Sequence, residues 1–205
     1  MFNVKAFNNL KVHTQYSICE GAIKIEALTE YCKVNKIKNI GICDSYNLCG
    51  ALEFAEKISK SGTQPIIGTQ INFVLEGTVG KLPIFSTTAL GYKNLIKLSS
   101  KSYLDSDEKS DPHCKIDELK NINQDLILFS GNLYGFFGKL FKLNKLKQIE
   151  ETIKKLKNIF KDRFYIEIQR HNEAGEENYE NFIIDASMKY QIPLIATQEI
   201  FYLTK

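Results

Sequence analysis

The sequence predicts an α/β fold, a barrel of about seven strands in which strands and helices alternate. Three observations support this prediction. Short apolar runs alternate along the 205 residues with segments whose apolar residues recur every three or four positions. The length suits one domain with one core. Polar residues stand where several predicted strands end, which is where barrels of this kind hold their sites.

The predicted strands are short apolar runs, and they cover residues 9–13, 37–44, 64–75, 81–89, 125–131, 163–169 and 193–200. The predicted helices carry apolar residues at spacings of three and four, and they cover residues 22–35, 50–62, 91–104, 135–160 and 176–191. Gly62 is well placed to end the second helix. The polar stretch 104–112, which shows no periodicity, predicts a surface loop. Strand and helix therefore alternate as in a parallel sheet covered by helices.

Composition indicates a globular domain with a sizeable core, because 43% of the residues are apolar and 25% are charged. Lys and Arg number 27 against 24 Asp and Glu, so the overall charge would not by itself hold nucleic acid. Eight basic residues lie within 142–163, but acidic residues dilute them and Phe160 is the one aromatic residue among them. This run predicts a solvated helical face rather than a nucleic-acid surface.

The cysteines indicate a reducing, cytoplasmic setting. There are five of them, an odd number at irregular spacing, and neither a CxxC pair nor a secretory signal accompanies them. They are interpreted as small apolar residues rather than as a thiolate site. No apolar run approaches the roughly 20 residues that a membrane-spanning helix needs, so no membrane association is expected.

Six ordered stretches carry a resemblance to a known family: KVHTQYSICEGA (11–22), GICDSYNLCGALEF (41–54), QPIIGTQI (64–71), LGYKNLIKL (90–98), FYIEIQRH (164–171) and PLIATQEIFYL (193–203). Together, in this order and spacing, they resemble the PHP domain that opens the alpha subunit of bacterial DNA polymerase III. The resemblance covers essentially the whole chain. It implies a PHP-type distorted (β/α)7 barrel, with residues 1–205 forming a single domain at the N-terminal end of a longer polymerase chain.

Active PHP domains hold a cluster of metal ions through His, Asp, Glu and Cys side chains, and the metals generate the nucleophile. The resemblance implies four vestigial metal-ligand candidates: His13, Glu20, Asp44 and Glu199. Other ligand positions have changed, and they correspond to Lys11, Ser45, Gln70, Lys81, Asn132 and Phe201. The two lysines bring positive charge into the space of the dications and cannot ligate while protonated. The implied site is therefore decayed and not expected to hold metal.

Each candidate ligand also has a structural interpretation. His13 is predicted to be a hydrogen-bonded histidine in the barrel mouth rather than a ligand. Glu20 precedes a predicted helix, where a carboxylate is favourable near the N-terminus, and Asp44 could cap a turn. An ion pair with Lys11 explains the carboxylate of Glu199 as well as metal coordination does.

Two further histidines remain to be interpreted. In the loop that follows the sixth predicted strand, Arg170 and His171 could either meet phosphate or bond to the backbone, and the sequence leaves both open. His113, at the end of the polar loop, carries no hypothesis.

Lys11 is predicted to take over the electrostatic role of the missing metals. Glu20 and Glu199 would repel each other at the barrel mouth unless a cation stood between them. Lys11 lies two residues before His13 on one predicted strand, so both side chains point to the same face. Its ammonium group is therefore expected inside the barrel, where active relatives hold metal.

The expected function is architectural. By resemblance, the domain supports the remaining polymerase domains of the alpha subunit and docks the separate proofreading exonuclease subunit, and it meets DNA only through the full-length holoenzyme. No cofactor is expected here, and Mg would serve only the parent polymerase, a nucleotidyltransferase of DNA replication. The alternative is a metal-dependent phosphoesterase, a 3'-5' exonuclease or a pyrophosphatase, that uses Zn or Mn with the reduced set His13, Glu20, Asp44 and Glu199.

Overall fold

The computed structural model describes residues 7–107 and 110–203. Within them, the strands are β1 (Lys11–Val12), β2 (Asn39–Ser45), β3 (Gln64–Leu75), β4 (Thr78–Ser86), β5 (His113–Lys115), β6 (Leu126–Phe129), β7 (Phe164–Ile168), β8 (Leu194–Ala196) and β9 (Glu199–Ile200). The α-helices are α1 (Ile25–Val34), α2 (Ala51–Lys60), α3 (Ala89–Leu104), α4 (Phe136–Lys142), α5 (Leu146–Phe160) and α6 (Glu176–Tyr190). Short 3-10 turns cover Ile116–Lys120 and Lys161–Arg163.

The strands form one curled sheet in the order β8-β7-β6-β4-β3-β2-β1-β9, and β5 pairs with β3 beside this path. The last two strands belong to one short segment. That segment pairs with β7 at its start, through Leu194, and with β1 at its end, through Glu199. The two ends of the sheet are thereby joined, which gives the distorted α/β barrel that the sequence predicted.

The predicted all-parallel sheet is wrong at one strand. β4 runs antiparallel to both β3 and β6. The reason is local, because two residues, Glu76 and Gly77, connect β3 to β4 and both adopt positive φ angles of 47° and 77°. A two-residue connection with that geometry makes a hairpin, and hairpin strands are antiparallel.

Three other predicted elements differ from the structure. His113, which was assigned to a polar loop, begins β5 and pairs with Asn72. The predicted helix over 135–160 is two helices, because the chain turns at Asn144, whose φ is 55°. The closing strand 193–200 is interrupted at 197–198, where it passes from one end of the sheet to the other.

Apolar side chains form two main clusters that hold the helices onto the sheet. The larger packs α3, α4, α5 and α6 against the middle of the sheet, with residues such as Phe73, Phe137 and Leu156 fully buried. The smaller packs α1 and α2 against β1 and β2 around Phe54. These layers leave the carboxyl ends of the strands free to form a mouth, and the candidate site lies there.

Among the described residues, all five cysteines are free thiols, with Cys32, Cys43 and Cys114 buried and Cys19 and Cys49 exposed. No helix in residues 7–107 or 110–203 combines the length and apolarity that crossing a bilayer would require.

Candidate ion-pair site in the barrel mouth

The site begins with Lys11, a lysine that is 1% exposed on the first strand. His13 lies two residues on and is also 1% exposed, so the two side chains share the inner face that strand alternation predicts. β9 pairs in parallel with β1 and places Glu199 opposite Lys11. The Lys11 Nζ atom lies 3.0 Å from Glu199 Oε1.

Glu167 on β7 is the second carboxylate bound to Lys11. Its Oε1 atom accepts a hydrogen bond from Lys11 Nζ at 2.9 Å, and its side chain is fully buried. The same oxygen accepts from Gln169 Nε2 at 2.7 Å and from the Thr197 hydroxyl. Lys11 therefore stands between two carboxylates inside the barrel.

Amide side chains hold Glu199 from the other side. Gln70 Nε2 donates to Glu199 Oε1 at 2.7 Å, and Asn132 Nδ2 donates to Glu199 Oε2 at 3.3 Å. The resemblance assigned both Gln70 and Asn132 to positions that carry metal ligands in active relatives. In this chain the two amides orient a carboxylate instead.

His13 is held by contacts that leave it little freedom. Its ring stacks on Phe201 with centroids 4.4 Å apart, and Nδ1 lies 3.3 Å from Ser17 Oγ. Nε2 lies 3.4 Å from Gln70 Nε2 and 3.8 Å from Glu199 Oε1. The stacking partner occupies a position where the resemblance implies a histidine ligand in active relatives, so the ring has an apolar support there.

Asp44 is a buried acceptor that organises the turn after β1. Its Oδ1 accepts from the Thr14 backbone N–H at 2.6 Å and from Ser17 Oγ at 2.7 Å. Its Oδ2 accepts from the Thr14 hydroxyl at 2.7 Å. Both carboxylate oxygens therefore serve the 14–17 turn, in keeping with the interpretation of Asp44 as a turn cap.

Glu20 pairs with Lys81 rather than with the start of a helix. Lys81 Nζ donates to Glu20 Oε1 at 2.7 Å, and the Ser45 hydroxyl donates to Glu20 Oε2 at 2.5 Å. The expected helix-terminus role of Glu20 is wrong, because α1 begins five residues later, at Ile25. Lys11 was expected to separate Glu20 from Glu199, but Lys11 binds Glu167 and Glu199 while Lys81 binds Glu20.

Burial and pairing shift the pKa values in opposite directions. Burial alone would lower the pKa of Lys11, but the charges of Glu167 and Glu199 outweigh it and raise that pKa. Burial alone would raise the pKa of Glu199, but the nearby His13, Lys11 and Gln70 lower it well below its usual range. Burial alone would also raise the pKa of Glu20, but the hydrogen bonds from Lys81 and Ser45 and the charge of Lys81 together outweigh it and lower that pKa. The charged forms of Lys11, Glu20 and Glu199 are therefore the stable ones.

Above these pairs lies a solvent-accessible cavity of about 370 Å³, whose wall includes His13, Glu20, Lys81, Tyr134 and Glu199. Two residues that the sequence left open lie elsewhere. Arg170 makes a two-pronged ion pair with Glu180 on α6, with Arg170 Nη2 2.6 Å from Glu180 Oε1. His171 contacts the side chains of Gln169 and Gln198.

The residues of the mouth do not fit the metal cluster that the fold family implies. A lysine ammonium already binds each of Glu20, Glu167 and Glu199, and a dication beside either ammonium would be repelled. The two oxygens of Asp44 are taken by the 14–17 turn. Within the described part of the chain, no three His, Cys, Asp or Glu side chains are grouped so as to hold a metal ion.

Comparison with known proteins defines the class of this barrel. The family model for the PHP domain matches residues 9–171. The chain therefore belongs to the PHP domain family.

Within that family, the chain is similar to the DNA polymerase III alpha subunit. It is 35% identical over 200 residues to the alpha subunit of Rickettsia bellii and 32% identical over 206 residues to that of Caulobacter vibrioides. It is 31% identical over 215 residues to the alpha subunit of Aquifex aeolicus. Each match covers 97% of this chain, yet the chain spans only 17% to 18% of the length of these relatives.

Solved structures share the fold at low sequence identity. A protein of Bifidobacterium adolescentis described as a metal-dependent phosphoesterase superposes with a TM-score of 0.57 at 12% identity, covering 97% of this chain and 88% of its own. An amidohydrolase of Chromobacterium violaceum superposes with a TM-score of 0.57 at 9% identity, covering 96% and 88%. At these identities the likeness establishes the fold alone.

Proposed function

We propose that this chain is the PHP domain at the start of a DNA polymerase III alpha subunit and that it acts as a scaffold without a hydrolytic centre of its own. The observation that carries the proposal is the Lys11 ammonium group, buried between Glu167 and Glu199 in the space where active relatives would hold metal. The curated relatives support the polymerase assignment.

The charges of the mouth explain why hydrolysis is not expected. Metal-assisted phosphoester hydrolysis needs dications that several anionic or imidazole ligands hold at once. Here Lys11 and Lys81 neutralise the available carboxylates, so the carboxylates stabilise the barrel rather than bind metal. A site of this composition performs structural work within a larger protein.

We expect the 205-residue chain to hydrolyse neither single-stranded DNA nor a generic phosphodiester above background, with Mg, Mn or Zn supplied, because no open ligand set faces the mouth among the residues that the structure describes. Steady-state assays with and without each metal would measure this, beside an active PHP phosphoesterase as positive control. Metal-dependent turnover that disappears in both His13→Ala and Glu199→Ala variants would overturn the proposal and favour a phosphoesterase that uses His13, Glu20, Asp44 and Glu199.

The partners follow from the polymerase assignment. We propose that the domain packs against the remaining alpha-subunit domains, binds the proofreading exonuclease subunit, reaches DNA only within the assembled enzyme and works in the cytoplasm. Its own basic helix α5 does not suggest a DNA surface, since Lys155 pairs with Asp117 and Lys147 pairs with Glu151.

We expect the cognate exonuclease subunit to co-purify with this chain, since a domain that lacks its own hydrolytic centre would leave proofreading to a separate subunit. Co-expression followed by size-exclusion chromatography would measure the complex, and the full-length polymerase would serve as the reference. Retention of the exonuclease by the full-length polymerase, together with no binding to this chain, would count against this role.

A further inference from the structure

A small, partly open cavity lies between β7 and α6, beside the mouth. Its volume is about 10 Å³, and its wall includes Glu167, Gln169, Tyr179 and Ile183. A space of this size is at the lower limit for one water molecule, which also needs two or more polar partners.

Two of these residues, Glu167 and Tyr179, each carry a polar atom that has no hydrogen-bond partner among the described residues. The Glu167 Oε2 and Tyr179 Oη atoms are both shielded from solvent, and neither forms a hydrogen bond within the described residues. The other oxygen of Glu167, Oε1, accepts hydrogen bonds from Lys11 and Gln169, so the lack of a partner at Oε2 stands out. An unpaired carboxylate oxygen in a buried position is costly, and native structures usually satisfy such atoms.

We propose that one buried water molecule binds in this cavity and bridges Glu167 Oε2 to Tyr179 Oη. The water donates one hydrogen to the carboxylate oxygen and accepts the hydroxyl hydrogen of Tyr179. Burial and the nearby Glu167 charge raise the pKa of Tyr179, so its hydroxyl keeps the proton that it would donate. The bridge satisfies both atoms and adds no charge to the site.

The bridge would connect the ion pair in the barrel to the outer helix layer. Glu167 binds Lys11 on one oxygen, and through the water it would be held by α6 on the other. Tyr179 would then be a positioning residue for the carboxylate that neutralises Lys11.

The sign of a stability change tests the proposal. If the water is present, Tyr179→Phe removes one of its partners and leaves Glu167 Oε2 poorly satisfied, so the melting temperature should fall by about 3 °C or more. If the hydroxyl has no partner, the same substitution removes a buried unsatisfied group and should leave the melting temperature unchanged or raise it. Tyr190→Phe is the matched control on the same helix, because its hydroxyl bonds Glu150 near the surface; its effect should be smaller.

High-resolution crystallography of the chain provides the direct measurement. The expected result is one water peak within about 3.2 Å of both oxygens. Soaking with thallium or rubidium ions gives a second readout, since an anomalous peak in the cavity would show a monovalent cation and overturn the proposal. An empty cavity, or a direct bond between Tyr179 and Glu167, would overturn it as well.

Discussion

Replacing Lys11 by methionine is expected to lower the free energy of unfolding by about 3–5 kcal/mol, as breaking a buried ion pair from one side usually does. The substitution keeps most of the side-chain volume and removes the charge. It leaves Glu167, which is fully buried, and Glu199, which is largely buried, as two carboxylates near each other without a cation. Glu167 cannot move into water without opening the barrel.

Urea denaturation at neutral pH would measure this loss. Lys57→Met is the control, because Lys57 makes an i,i+4 pair with Glu53 on the exposed surface of α2 and should contribute little. A double variant, Lys11→Met with Glu167→Gln, should recover part of the stability, since it removes one of the stranded charges. Unchanged stability of Lys11→Met would refute this account of the site.

The pH dependence of the free energy of unfolding tests the same ion pairs. The pKa of Glu199 is lowered from an ordinary value of 4.5, so its contribution is present above that pH and is lost as the pH falls toward the folded-state pKa. The pKa of Lys11 is raised from 10.5, so its contribution is complete below 10.5 and is lost only at higher pH. Both are therefore present at neutral pH. The acid decline in stability below 4.5 should be shallower in Lys11→Met, where Glu199 lacks its cation.

Local sequence patterns were enough to predict the barrel, because alternating strand and helix periodicities are encoded in nearby residues. The antiparallel direction of β4 was missed, since apolar periodicity is the same in parallel and antiparallel strands. Only the two-residue connection at Glu76 and Gly77 distinguishes them, and it reads as a hairpin signal in retrospect.

The candidate site was predictable where neighbours on one strand define a face. Lys11 was predicted to lie inside because it is two residues from His13 on one strand and so shares its face, and both side chains are buried. Glu167 was missed, although a charged residue between Ile166 and Ile168 on a short apolar strand is a signal of a buried partner. The pairing of Lys81 with Glu20 joins positions 61 residues apart, and no local pattern specifies such a contact.

Asp44 distinguishes a structural from a metal-binding role most sharply. Asp44→Ala is expected to lower the free energy of unfolding by about 3 kcal/mol, because hydrogen bonds to a buried charged group are strong and their donors would be left unsatisfied. Those donors are the Thr14 N–H, the Thr14 hydroxyl and the Ser17 hydroxyl. Asp105→Ala is the control, since its carboxylate is half exposed at the end of α3 and pairs there with Lys101.

Metal dependence then decides between the two roles. If Asp44 caps the 14–17 turn, the stability difference between wild type and Asp44→Ala should be the same with excess Mn, with excess Zn and with EDTA. If Asp44 were a metal ligand, the wild type would gain stability from the metal by mass action and lose it in EDTA, and the variant would not respond. Thermal unfolding of both proteins under the three conditions separates these outcomes. Because both Asp44 oxygens already accept hydrogen bonds from the turn, we expect the metal-independent result.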